Sequence, residues 1–344
     1  MSTSSTPRVS VLMTLYNKGR FVEEAVRSVL ANTFTDLELL VVDDASTDDG
    51  PERVRRIVDP RIRLLTTDRN RGRPSAANRG YDAARGEFIA VLDGDDIMHQ
   101  DRLAKQVAFL DANLEVDAVG TSISAFGVFN ELWHWPLTDE ECKGKMLFND
   151  PVCYGTAMFR RERLLASGAR CNESWLQPGM DYLFLLSMAS HVRFANIHEP
   201  LTFYRTGEQN MRHGGEPKSA RDALYREGFR MFGIAASEEE VQLQLMLHQM
   251  FPIAVGPVLV TALHEWIVKL KSINRERGLF PVRVFEAELD RRWRRSFHPI
   301  ADRDLRAALT HMKLERTREF ARYRYLAAAA FARLFPAKAK HASA

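Results

Sequence analysis

Leu37-Glu38-Leu39-Leu40-Val41-Val42-Asp43-Asp44-Ala45-Ser46-Thr47-Asp48-Asp49-Gly50 decides the fold. A six-residue, mostly apolar run that stops abruptly at acids and turn formers reads as a strand buried on both faces, with a polar loop at its carboxyl end. Working outward, Val9 to Leu15 is a similar run ending at Tyr16-Asn17. Between the two, Phe21, Val22, Ala25, Val26, Val29 and Leu30 recur at helical spacing, which predicts an amphipathic helix over 18–31. Downstream the pattern predicts a helix near 51–58, a strand at 61–66, a helix from Ser75 to Ala84, and a strand from Glu87 to Leu92 that stops at Asp93-Gly94-Asp95-Asp96. Strands alternating with helices predict a mostly parallel sheet wound with right-handed crossovers.

Beyond residue 100 the regularity fades. The expected elements are a helix at 101–112, strands near 116–121, 123–129 and 153–159, helices at 160–167 and 180–190, and two short strands within 192–204. Thr206 to Pro217 is a loop signal, after which the chain reads almost entirely as helix, with Met250 to Leu263 as a buried one. The predicted division is an α/β domain over 1–210, with a nucleotide-binding half at 1–112 and an acceptor half at 113–210, and a helical region over 211–344.

The whole chain has 344 residues, 45% hydrophobic and 27% charged, enough for a full apolar core and unlike a disordered or repetitive chain. Three widely spaced cysteines, Cys142, Cys153 and Cys171, make neither a disulfide framework nor a zinc motif, so a reducing cytoplasm is the expected compartment. Residues 1–7 have no hydrophobic core, so no secretion signal is expected. The net charge of +3 is uneven, because residues 275–344 carry 17 Lys/Arg against 8 Asp/Glu.

The chemistry gathers where strands end. Asp43 and Asp44 follow one strand and Asp93, Asp95 and Asp96 another, and in open parallel sheets such loops converge on one crevice. Asp-Gly-Asp suits a hard divalent cation with oxygen ligands, Gly94 allowing the tight turn; the same acids also suit helix caps and surface turns. Residues 14–19 lack the glycines of a dinucleotide fingerprint, and neither a Gly-x-x-x-x-Gly-Lys-Ser/Thr loop nor a Gly-x-Ser-x-Gly elbow occurs. Phosphate handling therefore points to a metal.

Four segments in order carry a resemblance: Val9 to Asn17, Val41 to Asp48, Asn70-Arg71-Gly72-Arg73-Pro74-Ser75-Ala76-Ala77-Asn78-Arg79-Gly80, and Gly86 to Asp96. It continues through Gly155 to Arg161 and Tyr204-Arg205. The chain resembles the family 2 glycosyltransferases, inverting enzymes of the GT-A fold that use nucleotide-sugar donors. The resemblance implies that Thr14, Leu15 and Tyr16 line the base pocket, Asp44 accepts from the base, Asp93 holds the ribose, and Asp95, beside Asp93, holds Mg²⁺ or Mn²⁺. Arg73 suits a bidentate phosphate contact or a solvated surface. Pro178-Gly179-Met180-Asp181-Tyr182 occupies the place of the family's Glu-Asp pair, so Asp181 matches the catalytic base and Met180 replaces the glutamate. Thr14 stands where proline is usual, and Thr206-Gly207 where a histidine often follows, the nearest being His213; Arg212 or His213 on a loop over the diphosphate, and a plain linker, both suit 207–215.

The expected activity is transfer of a sugar, of the hexosyl or N-acetylhexosaminyl class, from a UDP-sugar to a saccharide hydroxyl, lipid-linked acceptors included, in cell-surface polysaccharide assembly. The rivals are a sugar-phosphate nucleotidyltransferase, which would want a Gly-rich basic loop where only Lys18-Gly19-Arg20 stands, and a non-catalytic nucleotide-sugar-binding protein, which Met180 favours. Trp133 and Trp135 suit either sugar stacking or a packed strand face. Arg316, Arg318, Arg322 and Arg324 around Phe320, Tyr323 and Tyr325, followed by Leu326 to Leu334, suit a solvated helix or peripheral contact with the cytoplasmic membrane face. An acidic body without a recognition motif speaks against nucleic acid.

Overall fold

Two seven-residue segments, Val9–Leu15 (β1) and Leu37–Asp43 (β2), are buried almost throughout in the computed structural model, which describes residues 6–207, 217–316 and 319–334. Burial on both faces follows from helices on either side of the sheet. Gly19–Leu30 (α1) turns Val22, Ala25, Val26 and Val29 inward, and Gly50–Arg55 (α2) adds Val54 to the same apolar layer. Ile62–Thr66 (β3), Arg73–Ala83 (α3) and Phe88–Val91 (β4) complete the parallel order β3-β2-β1-β4. The chain then adds Ile97–Met98 (β5), Arg102–Ala112 (α4), Ala118–Gly127 (β6), Glu131–Trp133 (β7), Asp139–Lys145 (α5), Met158–Arg160 (β8), Arg161–Ala166 (α6), Met180–Ser187 (α7) and Phe194–Thr206 (β9). The sheet continues from β4 through β8, β6 and β9 to β5, with β8 antiparallel to both β4 and β6, and β7 paired on β6. The mostly parallel α/β reading holds, and the antiparallel strands lie where the periodicity faded.

Four local expectations are corrected. The two short strands within 192–204 are one long strand, β9, whose pairing with β6 shifts register near Ser122, where Pro200 lies opposite. The segment 153–159 is a 3-10 turn, Tyr154–Thr156, followed by the short β8, and of 123–129 only 123–127 is strand, as the continuation of β6. Met250 to Leu263 is not one buried helix. Residues 250–256 are irregular with Ile253 fully exposed, because Pro252, Gly256 and Pro257 oppose helix there and Pro257 supplies a favoured first residue.

The chain divides into two compact units, Met1–Glu216 and Pro217–Ala344. The second consists of helices Lys218–Phe232 (α8), Glu238–Leu247 (α9), Pro257–Arg277 (α10), Val282–Ala301 (α11), Leu305–Glu315 (α12) and Phe320–Leu334 (α13). Ser237 and Glu240 form a reciprocal capping box at the start of α9. Trp266, Phe285, Leu289 and Phe297 fill the interior, with Trp266 Nε1 donating to Gln244 Oε1 (3.0 Å).

One buried charge pins the amino ends of the first strands. Glu38, alone polar in β2 before its terminal Asp43, accepts from Ser10 Oγ (2.6 Å), Arg63 Nη1 (2.6 Å), and the backbone N–H (2.9 Å) and Nε (2.9 Å) of Arg85. Desolvation pushes its carboxyl up, but these donors outweigh it and hold it below the usual glutamate range. Gly86 is required beside this cluster, since a Cβ there would lie 2.5 Å from Ser10 N. Glu38→Ala would take the acceptor from Ser10 Oγ and the Arg85 N–H while the two half-exposed arginines stay solvated, and lower stability by about 1–3 kcal/mol, read as a fall in the urea midpoint. The ion-paired form is favoured above the ordinary glutamate pKa, so the wild-type contribution fades as pH falls through the depressed value, and the gap between the two proteins narrows in acid.

Candidate active site

At the carboxyl ends of the strands two loops are laced together. Thr47 N–H donates to Asn17 Oδ1 (2.8 Å), Asn17 N–H to Ser46 Oγ (3.0 Å), and Gly19 N–H to Asp48 Oδ2 (2.7 Å). Asn17 (φ 51°) and Ala45 (φ 56°) hold left-handed conformations that bend both loops over the strand ends. A side chain at Gly19 would push aside the carboxylates of Asp48 and Asp49, the first of which accepts from Gly19 N–H.

Asp44 lies at this junction, buried, and its carboxylate is already engaged. Oδ1 accepts from Arg71 N–H (3.0 Å) and Thr67 Oγ1 (3.2 Å), and Oδ2 from Gly72 N–H (2.7 Å). It therefore organises the 67–72 loop that leads into α3. Thr14 and the exposed Tyr16 present side chains at the end of β1, whereas Leu15 packs in the apolar core and its carbonyl accepts from Asp44 N–H (2.8 Å). The side chain of Leu15 is thus withdrawn from the strand-end loops.

The second acidic loop lies beside the first. A Cβ on Gly94 would come within 3.2 Å of Thr14 O, so the Asp93–Asp96 turn sits directly against the end of β1. Three carboxylates meet cations here and a fourth meets a backbone N–H. Asp93 Oδ1 accepts from Arg73 Nη2 (2.8 Å), and Arg73 Nη1 stands 4.0 Å from Asp181 Oδ2, so one guanidinium spans both. Asp95 Oδ2 accepts from Lys18 Nζ (2.7 Å). Asp96 turns inward, accepting from Arg205 N–H (2.9 Å), while Arg205 Nε donates to Asp95 O (2.9 Å). Arg205 also lies over the rings of Phe21 and Phe126.

Desolvation raises the carboxyl of Asp93 above its usual range; Arg73 opposes it and Asp95 and Asp181 reinforce it. Asp96 is raised further, by burial first and then by Asp93 and Asp95. Below them Arg102 is fully buried. It donates to Val91 O (2.7 Å), Gly155 O (3.0 Å) and Gln106 Oε1 (3.0 Å), and burial lowers it to about 10, so it stays charged near neutrality.

Asp181 opens α7 after Gly179, whose left-handed conformation turns the chain into the helix, and its Oδ1 accepts from Tyr182 N–H (2.9 Å). Met180 is buried, so the residue standing in the glutamate's place faces the interior. Thr14, Gly94, Asp93, Asp95, Arg73 and Asp181 are thus brought together from separate segments. Sequence reasoning missed Lys18 and Arg102 and gave Arg205 no role. The signal for Lys18 was its place directly after the first strand turn; Arg102 carried none, being one arginine at the start of an ordinary helix. Trp133 packs against Phe129 and Tyr204 as part of a strand face. Arg212, His213 and the loop around them lie outside the described residues.

A parallel sheet with antiparallel additions, acidic loops at its carboxyl edge and a helix-borne acid facing them define a GT-A-like α/β domain. Residues 10–168 match the model of Glycosyl transferase family 2, and the N-terminal unit belongs to that family. The chain is 36% identical over 194 residues to the succinoglycan biosynthesis protein ExoO of Rhizobium meliloti, covering 53% of this chain and 55% of that protein. It is 35% identical over 161 residues to the putative glycosyltransferase EpsE of Bacillus subtilis, covering 46% and 58%. The chain thus spans little more than half the length of these curated relatives. Among solved structures, S. aureus TarS 1-349 in complex with UDP-GlcNAc shares the fold at TM-score 0.58 and 18% identity, over 82% of this chain and 90% of that one. The Pyrobaculum calidifontis mannosyltransferase PcManGT in complex with GDP-Man and Mn²⁺ does so at TM-score 0.52 and 18% identity, over 85% and 88%.

Asp44→Ala would leave the N–H of Arg71 without its acceptor and Gly72 N–H with Asn70 Oδ1 alone (2.9 Å), costing about 1–3 kcal/mol. Trypsin should then cut faster after Arg69 and Arg71 in the native protein; unchanged cleavage and an unchanged urea midpoint would show that the loop does not depend on this carboxylate.

Proposed function

We propose that the protein is an inverting, metal-dependent glycosyltransferase that moves a sugar from a UDP-sugar to a hydroxyl of a saccharide acceptor, lipid-linked, in cell-surface polysaccharide assembly. The observation that carries this reading is the Arg73 bridge. It sets Asp181, on a helix start, across from Asp93, at a strand end, with one guanidinium between them. Inverting transfer needs a donor held on one side and a carboxylate that removes the acceptor proton on the other.

In this reading Thr14 and Tyr16 border the base, with Asp44 holding the adjoining loop and keeping lone-pair capacity on Oδ2 for a base N–H. Asp93 takes the ribose and Arg73 turns its fork toward the diphosphate. The hard oxygen donor at Asp95, which already accepts a cationic group, suits Mg²⁺ or Mn²⁺; Asp95 would hold it with Asp93 nearby, the remaining ligands coming from the diphosphate and water. When bound, the ion supplies positive charge against the departing nucleoside diphosphate. Asp181 accepts the proton of the acceptor hydroxyl as that oxygen attacks the anomeric carbon opposite the leaving group. The UDP assignment is supported by an Escherichia coli relative, the UDP-Glc:alpha-D-GlcNAc-diphosphoundecaprenol beta-1,3-glucosyltransferase WfgD, 38% identical over 102 residues and matched over 40% of its length. The same name supports a lipid-linked acceptor.

Asp181→Asn keeps the size of the side chain and a carbonyl acceptor for Tyr182 N–H but takes no proton. Turnover, measured as nucleoside diphosphate release with a lipid-linked saccharide acceptor, should fall by roughly 10² to 10⁴ while UDP affinity is retained. Loss of UDP affinity in step with turnover would make Asp181 a donor ligand or structural residue instead.

A peripheral contact with the cytoplasmic membrane face belongs to the same proposal, in altered form. Arg322 is buried, paired with Glu315 and Glu319 and packed on Phe297, and Arg333 donates to Ala301 O and Asp302 O. The outward stripe of α13 is instead Phe320, Tyr323, Arg324, Ala327 and Phe331. Arg318 and residues 335–344 lie outside the described residues. No helix among the described residues is long and apolar enough to cross a membrane. Aromatic insertion rather than charge should then dominate. Phe320→Ser combined with Phe331→Ser is expected to weaken binding to anionic vesicles by at least about tenfold, with only a modest response to salt; equal binding by the double variant in a sedimentation assay would reject the contact.

A further inference from the structure

Lys18 occupies a position that the proposed chemistry does not use. Its carbonyl accepts from Phe21 and Val22 N–H at the start of α1, and the next residue, Gly19, is tied to Asp48, so the backbone is anchored while the four-carbon stem reaches across to Asp95. The pair is largely withdrawn from solvent, with side-chain exposures of 23% for Lys18 and 9% for Asp95. Breaking such a pair costs far more than breaking a surface pair, because each partner is left poorly solvated.

Among the described residues no group of three or more His, Cys, Asp or Glu side chains is arranged to hold a metal ion by itself. Any cation at Asp95 therefore needs oxygens from elsewhere and must also displace the ammonium. A nucleoside diphosphate meets both needs: its oxygens complete the coordination, and its negative charge gives the released Lys18 a new partner.

We propose that Lys18 is a resident cation that holds Asp95 in the donor-free protein and so makes divalent-metal binding conditional on the diphosphate. This rests on the reading of Asp95 as the metal carboxylate. By linkage, whatever factor UDP adds to Mn²⁺ affinity, Mn²⁺ adds to UDP affinity. The arrangement keeps the metal from occupying the crevice without its donor.

Mn²⁺ binding to the full chain, followed by loss of the free-ion electron paramagnetic resonance signal with and without UDP, tests this. Wild type should bind Mn²⁺ weakly alone and roughly tenfold or more tightly with UDP. Lys18→Met should bind Mn²⁺ without UDP about tenfold more tightly than wild type, and the enhancement by UDP should shrink; Lys18→Arg, which keeps the charge, should resemble wild type. Lys18→Gln serves in place of Lys18→Met if circular dichroism shows the latter unfolded. Unchanged Mn²⁺ affinity in the charge-removed variant without UDP overturns the role of Lys18. Asp95→Ala separates the two levels: loss of Mn²⁺ binding even with UDP supports the metal reading on which the inference stands, whereas retained Mn²⁺ binding overturns both.

Discussion

Carboxylates gathered at one sheet edge must be compensated, and the rest of the N-terminal unit is arranged around that constraint. Asp93 and Asp181 meet Arg73 from α3, Asp95 meets Lys18 from the turn after β1, the buried Arg102 from α4 lies in the field of Asp93 and Asp96, and the backbone N–H of Arg205 from β9 donates to Asp96. Each cation belongs to a different element, so neutralising the acids also locks those elements together. Arg102 shows this most clearly, since one buried guanidinium joins the end of β4 at Val91 to the Gly155 turn. A half-satisfied cluster of this kind would be worse than an apolar one, which is why the cations are as much a part of the fold as of the site.

The opposite end of the sheet carries the mirror problem. Glu38 is a single buried anion with donors from Ser10, Arg63 and Arg85, and it fixes the starts of β1 and β2 and the approach to β4. Between the two polar ends runs an apolar layer that includes Val9, Val11, Met13, Leu39, Val41, Phe88 and Ala90. Strands held at both ends and packed along their length give the carboxyl-edge loops a rigid base. A crevice that must align a donor, an acceptor and a base within a fraction of an ångström needs such a base.

The helical unit is built by different means, with no sheet to organise it. Its helices are joined by buried polar contacts such as Trp266 with Gln244, and by Arg292 on α11, which donates to Leu247 O at the end of α9 (2.9 Å). Arg322 of α13 follows the same rule as the arginines of the crevice. Buried, it finds carboxylates, whereas Arg324 and Arg333 stay on the exposed face among aromatic and small side chains. A count of charges along the chain overstates how basic that surface is.

Local patterning alone determined the alternation of strands and helices through β4, the acids at strand ends, and the helical character after residue 217. Those features depend on periodicity and turn chemistry within a dozen residues. The motifs between residues 9 and 96 also carried the family. What only tertiary structure decided is which groups meet: Asp181 with Arg73 and Asp93, Lys18 with Asp95, and Asp44 with the N–H groups of Arg71 and Gly72. It also turned Leu15 and Met180 inward and joined the two short strands expected within 192–204 into β9. The physical reason is that such pairings span long stretches of chain and follow from sheet register, crossover geometry and the need to neutralise buried charge, none of which leaves a mark in the spacing of neighbouring residues.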